Sequence, residues 1–173
     1  MRRPDVTAPL RRLALRMTEY ERGVPHRVQH FLKVHSFACL IAGEEGLPEA
    51  ARLTLEAAAL VHDIGIRPSL ERYGRETGPL QEQEGPPAAR RMLEELGFPP
   101  EVTERVCFLV GHHHTYQGID GADYQILVEA DFLVNFLESG MGPEAIRSVR
   151  DGIFRTKTGI RLLDAMFLPE DRP

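Results

Sequence analysis

The 173-residue chain has only two cysteines, two lysines (Lys33 and Lys157) and no long apolar run. Cys39 and Cys107 lie far apart in apolar, helix-like segments, with no CxxC pairing, so a disulfide scaffold or a thiolate zinc knuckle is excluded and both read as reduced core residues. No stretch approaches the roughly 18 apolar residues of a membrane span, and no apolar core follows the basic start MRRPDVTAPLRR. The expectation is a cytoplasmic protein without a membrane partner. Basic excess is also lacking: 21 Lys and Arg against 26 Asp and Glu leave a net charge of −5, which argues against general nucleic-acid binding. GxSxG, GxGxxG, P-loop and HExxH motifs do not occur. Strand-like alternation and internal repeats are missing too.

What is present is helical periodicity. With 42% hydrophobic and 27% charged residues, the composition is that of one ordinary globular domain. Val34, Phe37 and Ile41 recur at helical spacing within 26–46, and Pro48 opens PEAARLTLEAAALVHD, which carries no internal breaker. Residues 66–85 hold Pro68, Gly74, Gly78 and Pro79 and read as a long polar loop, after which Pro86-Pro87 suit the first turn of a helix ending at Gly97. Further helices are expected over EVTERVCFLVGHH, over DYQILVEADFLVNFLES, from Pro143, and from about Thr158 to Phe167. The predicted architecture is an all-α bundle of about seven helices, with a core over 26–138, a peripheral helix at 7–22 and C-terminal helices over 143–167.

Several polar residues interrupt the apolar stripes. His30 lies in line with Val34, Phe37 and Ile41; His62 continues Leu55 and Ala59 and is followed by Asp63; His113 extends Val106 and Val110, with His112 and His114 beside it; Asp131 shares a face with Leu127 and Val134. Taken singly, each such histidine is more often a hydrogen-bonded core residue than a ligand, and Asp131 alone could cap a helix or pair with an arginine. Their conjunction changes the balance. A buried isolated carboxylate costs several kcal/mol unless it is paired or metal-bound, and imidazoles with carboxylates converging from several helices are what a bundle-core metal site requires. That donor set suits Mn, Fe, Co, Ni or Zn.

These residues resemble the HD-domain superfamily, all-helical metal-dependent phosphohydrolases. The resemblance is carried by His30 in HFLKVHSFACLIA, His62-Asp63 in AAALVHDIG and Asp131 in VEADFLV. It implies that His30, His62, Asp63 and Asp131 bind a divalent metal, with Asp63 also catalytic. Members with two ions add an intermediate histidine and an HH pair. Here His112 and His113 stand at the HH positions, while Glu84-Gly85 stand where the intermediate histidine is expected, leaving Glu84 as a replacement ligand or the second site weak. The cyclic-dinucleotide branch reads HDIGK and carries a GYP signature; this chain reads HDIGI and GIDGADY. Arg67, Arg75 and Lys157 are candidate phosphate contacts. The resemblance implies hydrolysis of a phosphate ester of a small nucleotide or phosphorylated metabolite through a metal-activated water. Alternatives are a di-iron oxygenase built on the same ligands and a non-catalytic sensor or assembly module. A homodimer is compatible with all three.

Overall fold

The computed structural model describes residues 7–169, so the first residues of the basic start and the last four lie outside the description. The described residues form nine helices and no strand: α1 (Thr7–Tyr20), α2 (Pro25–Glu44), α3 (Glu49–Val61), α4 (Ile66–Tyr73), α5 (Gly78–Glu95), α6 (Pro100–Val110), α7 (Ala122–Glu138), α8 (Pro143–Gly152) and α9 (Lys157–Phe167). The all-α expectation holds.

α3 is the central element. Its AAALV run buries Ala57 to Val61 on every side, and the small alanines let α1, α2, α6 and α7 approach together. α7, buried from Ile126 to Asp131, packs against α2, α3 and α9. α5 lies along α6 and carries α4. Leu10, Leu13 and Met17 of α1 join the same apolar cluster.

The expected loop over 66–85 is a correction. Most of it is helical, as α4 and the first part of α5. Gly74, at φ 65°, ends α4 in the left-handed conformation that glycine adopts without steric cost. Thr77 then caps α5, its hydroxyl accepting from the Leu80 amide, with Gly78-Pro79 in the first turn. Gly85, Pro86 and Pro87 lie inside α5 rather than at its start. The physical reason is close approach. A Cβ on Gly65 would stand 2.4 Å from the Gln81 carbonyl oxygen and 2.8 Å from the Gly85 nitrogen, and one on Gly85 would stand 2.5 Å from Val110. These glycines let the α5 backbone rest directly on the turn after α3, the turn that holds His62 and Asp63.

Candidate metal centre

Four segments deliver polar side chains to one place: α2 brings His30, the turn after α3 brings His62 and Asp63, the turn after α6 brings His113 and His114, and α7 brings Asp131. Because α3 and α6 both end here, the partial negative charge of two helix C-termini falls on the cluster, a field that favours cations.

The imidazoles are oriented by their outer nitrogens. Nδ1 of His62 donates to the Ala59 carbonyl at 2.8 Å and Nδ1 of His113 to the Val110 carbonyl at 2.8 Å, each using an acceptor left free by a helix end. Nδ1 of His30 donates to Glu138 Oε2 at 2.8 Å. All three rings therefore present Nε2 inward. His30 Nε2 lies 3.1 Å from His62 Nε2, 3.3 Å from Asp63 Oδ2 and 3.2 Å from Asp131 Oδ1. His62 Nε2 lies 3.4 Å from each of the same two carboxylate oxygens. The other oxygen of Asp63 faces away from this pair, with Oδ1 3.4 Å from His113 Nε2. Donor atoms of Asp63, His113 and His114 lie within 4.8 Å of one another, as do those of His30, His62 and Asp63.

The protonation balance of the cluster follows from this crowding. Burial opposes charge on His30 and His62, yet the facing carboxylates hold both above the ordinary imidazole range, His62 well above it. Burial likewise opposes ionisation of Asp63 and Asp131, and the imidazoles overcome it, holding both carboxyls below their ordinary range. His114 goes the other way: burial and the His113 charge push it down to about 4, leaving a neutral ring.

The residues fit a divalent ion. His113 Nε2 is buried without a hydrogen-bond partner, an orphaned nitrogen aimed into the cluster. Two imidazoles and two carboxylates meeting at 3.1–3.4 Å form a donor set suited to Mn, Fe, Co, Ni or Zn. Asp63, whose side chain is 25% exposed against 8% for Asp131, marks the mouth.

Other residues singled out from the sequence are placed elsewhere. His112 turns out of the cluster: its ring stacks on Phe108 and its Nδ1 donates to the Phe108 carbonyl. Glu84 is engaged by Arg72 at 3.0 Å and by the Tyr73 hydroxyl at 3.0 Å. Lys157 opens α9, whose first turn is tied to Glu45 by a 2.8 Å bond from the Thr158 amide and to Glu129 of α7 by the Thr156 amide and hydroxyl. Arg67 is bound to the Tyr20 carbonyl and to Glu71. Arg75 is exposed in the link between α4 and α5.

Residues that sequence reasoning passed over complete the site. Glu138 orients His30 and also accepts from Lys33 Nζ at 2.6 Å. The Asn135 amide donates to Asp131 Oδ1 at 2.9 Å. Both share a face of α7 with Asp131, at i+4 and i+7, a spacing that could have found them. Gln81 accepts from His114 Nε2 at 3.0 Å, and Glu82 clamps the same turn through the His114 amide and the Thr115 hydroxyl. The FRTKTG segment has a structural role: it wraps the buried carboxylate of Glu129, which accepts from the amides of Arg155 and Thr156 and from the Thr156 hydroxyl.

The HD-domain family model matches residues 27–147, a span that includes every residue of the cluster. The chain therefore belongs to the HD-domain family, a superfamily of metal-dependent hydrolases. Among solved structures it is similar to a predicted HD superfamily hydrolase from an uncultured Thermotogales bacterium, at 24% identity and a TM-score of 0.64, over 90% of this chain and 83% of that one; at that identity the likeness speaks for the fold. No curated protein matches the chain. No helix among the described residues is long and apolar enough to cross a membrane.

Proposed function

We propose that this protein is a metal-dependent phosphohydrolase acting on a phosphate ester of a small nucleotide or another phosphorylated metabolite. The observation that carries the reading is the posture of Asp63, with Oδ2 turned to His30 and His62 and Oδ1 turned to His113. His30, His62, Asp63 and Asp131 would hold one divalent ion, and Asp63, His113 and His114 would hold a second. A bound transition ion would supply Lewis acidity, bringing the pKa of a coordinated water toward neutrality and neutralising charge on phosphoryl oxygens.

The chain's own groups do the rest. Asp63, the carboxylate at the mouth, is placed to accept the proton of the attacking water. Glu138 fixes the His30 tautomer, and Asn135 holds Asp131. Lys33, joined to the cluster through Glu138, takes the phosphate-binding role in place of Lys157.

The test is anaerobic phosphate release from a panel of nucleotides and sugar phosphates, with the metal-loaded protein and its Asp63→Ala variant. Turnover in the wild type alone supports the reading, and full activity in Asp63→Ala would sink it. The two-sided posture of Asp63 also favours a second reading, a di-iron oxygenase, distinguished by oxygen consumption and an oxidised product without phosphate release. Metal binding with neither activity would leave a sensor or assembly module.

A further inference from the structure

The turn that delivers His113 and His114 runs on into an aromatic side chain that the proposed chemistry does not use. Tyr116 follows His114 by two residues, so the two Cα atoms lie within about 7 Å of each other. The Tyr116 ring centroid is 5.0 Å from that of Phe132, the neighbour of Asp131 on α7, with the planes 49° apart. The pair therefore stands beside the cluster and is built from two of the segments that form it.

The position of Tyr116 is fixed by its surroundings. Glu82 accepts from the His114 amide and the Thr115 hydroxyl, and the Tyr124 hydroxyl is shared between the His112 and Thr115 carbonyls. On the far side of the tip, Arg105 holds both Asp120 and Asp123. Between these clamps the tip, Tyr-Gln-Gly-Ile at 116–119, turns at Gly118 with φ 71°. Tyr116 is 40% exposed, and its hydroxyl makes no hydrogen bond among the described residues. Burial, and then the charges of Asp131 and Glu82, push that hydroxyl up to about 12, so the ring is a neutral phenol.

Core packing accounts for Phe132, whose ring continues into those of Phe136 and Phe154. It does not account for Tyr116, which is laid over the outer end of that stack and left open to solvent. The tip also carries no cation, and Arg105 is committed to its two carboxylates. What the tip meets is thus a neutral part of a substrate rather than a further phosphate.

We infer that Tyr116, backed by Phe132, is a stacking wall for the base of a nucleoside monophosphate whose phosphate lies at the metal cluster. The assignment rests on the phosphohydrolase reading and narrows its substrate to the nucleotide class. In such a molecule the base stands one sugar away from phosphorus, as Tyr116 stands two residues away from His114. Stacking uses a π-face that every base has, so the wall selects for the presence of a base rather than for one base over another.

Adenosine 5′-monophosphate and ribose 5-phosphate, which differ in the base, are the substrate probes for the metal-loaded full chain. Adenosine, which has no phosphate to lose, is the binding probe, read by saturation-transfer NMR. The wild type should prefer the nucleotide, and Tyr116→Ala should lower kcat/KM for it about tenfold or more while leaving ribose 5-phosphate unchanged. Tyr116→Phe keeps the π-face and should keep the preference. Saturation should reach the adenine protons in the wild type and Tyr116→Phe and be lost in Tyr116→Ala. Equal kcat/KM for the two esters in the wild type, an equal loss on both in Tyr116→Ala, or adenine saturation that is absent from the wild type or unchanged by Tyr116→Ala would overturn the wall and leave the hydrolase reading in place. Phosphate release from neither ester, with adenine saturation still dependent on Tyr116, would retire the hydrolase reading and support the wall as a base-binding surface.

Discussion

His30 Nδ1 lies 2.8 Å from Glu138 Oε2, and this contact decides which nitrogen of His30 faces the cluster. Glu138 comes from the last turn of α7 and is itself held by Lys33, so the pair links α2 to α7 at the rim of the site. Carboxylates in this position raise the basicity of a ligating imidazole and fix its tautomer. Glu138→Ala should therefore weaken metal binding at the cluster by about 10–100-fold, with Glu138→Gln less affected because an acceptor oxygen remains. Calorimetric titration of both variants against the wild type reads this change. Unchanged affinity would mean that His30 is not a ligand.

Gly65 and Gly85 bring α5 onto the His62-Asp63 turn at a distance no side chain allows. Gly65→Ala must push the α5 backbone away from its carbonyl and amide contacts, an overpacking cost of about 1–3 kcal/mol. Gly43, in the last turns of α2, provides the contrast, because a Cβ there would meet nothing within 4 Å. Gly43→Ala should be neutral or stabilise by up to about 1 kcal/mol. Urea denaturation of the two variants should move the midpoint in opposite directions or leave Gly43→Ala unmoved. A Gly65→Ala midpoint equal to wild type would refute the close approach.

The same glycines explain why part of the fold was illegible in the sequence. α2, α3, α6 and α7 announce themselves through apolar periodicity, and His30, His62, Asp63 and Asp131 stand out because each interrupts a stripe. Between 66 and 85 the glycines and prolines look like breakers, although Gly65 and Gly85 serve helix-to-turn contact and Pro79 starts a helix. His112, His113 and His114 are adjacent in a turn beyond α6, where helical spacing no longer says which ring points inward; the Phe108 stacking that removes His112 is a tertiary fact. Glu84 fits the expected position of a ligand, but Arg72 and Tyr73, one helix earlier, claim it.

Glu129 is fully buried, and its charge is met by donors from Gln125, Arg155 and Thr156, with the Gln125 and Arg155 nitrogens both at 2.7 Å. Glu129→Gln places an amide NH₂ among groups that already donate, and the loss should be about 2–3 kcal/mol. Gly159→Ala should destabilise in the same direction, since a Cβ there would stand 2.0 Å from Glu129 Oε2. Glu129 stands on α7 two residues before Asp131, but its carboxylate is turned to the first turn of α9, where Gly159 also lies, so cobalt affinity of the folded fraction should remain at the wild-type value. Denaturation and metal titration of the same samples separate the two effects. A large loss of metal affinity with stability intact would reverse this assignment and return FRTKTG to the site.

The cluster's protonation balance predicts how pH acts on stability with and without metal. His30 and His62 have raised pKa values in the folded metal-free chain, so their contribution is fully present below about pH 6.5 and is lost as pH rises through the raised values. Asp63 and Asp131 have depressed values, so theirs is present above about pH 4 and is lost as pH falls through the folded-state values. A metal ion requires neutral imidazoles and must displace those protons. The rise in melting temperature produced by a fixed free concentration of zinc should therefore grow from about pH 6 to about pH 8. The growth should vanish in Asp63→Ala. A zinc-induced shift that is flat or falls over this range would show that the imidazoles of His30 and His62 do not take up the ion.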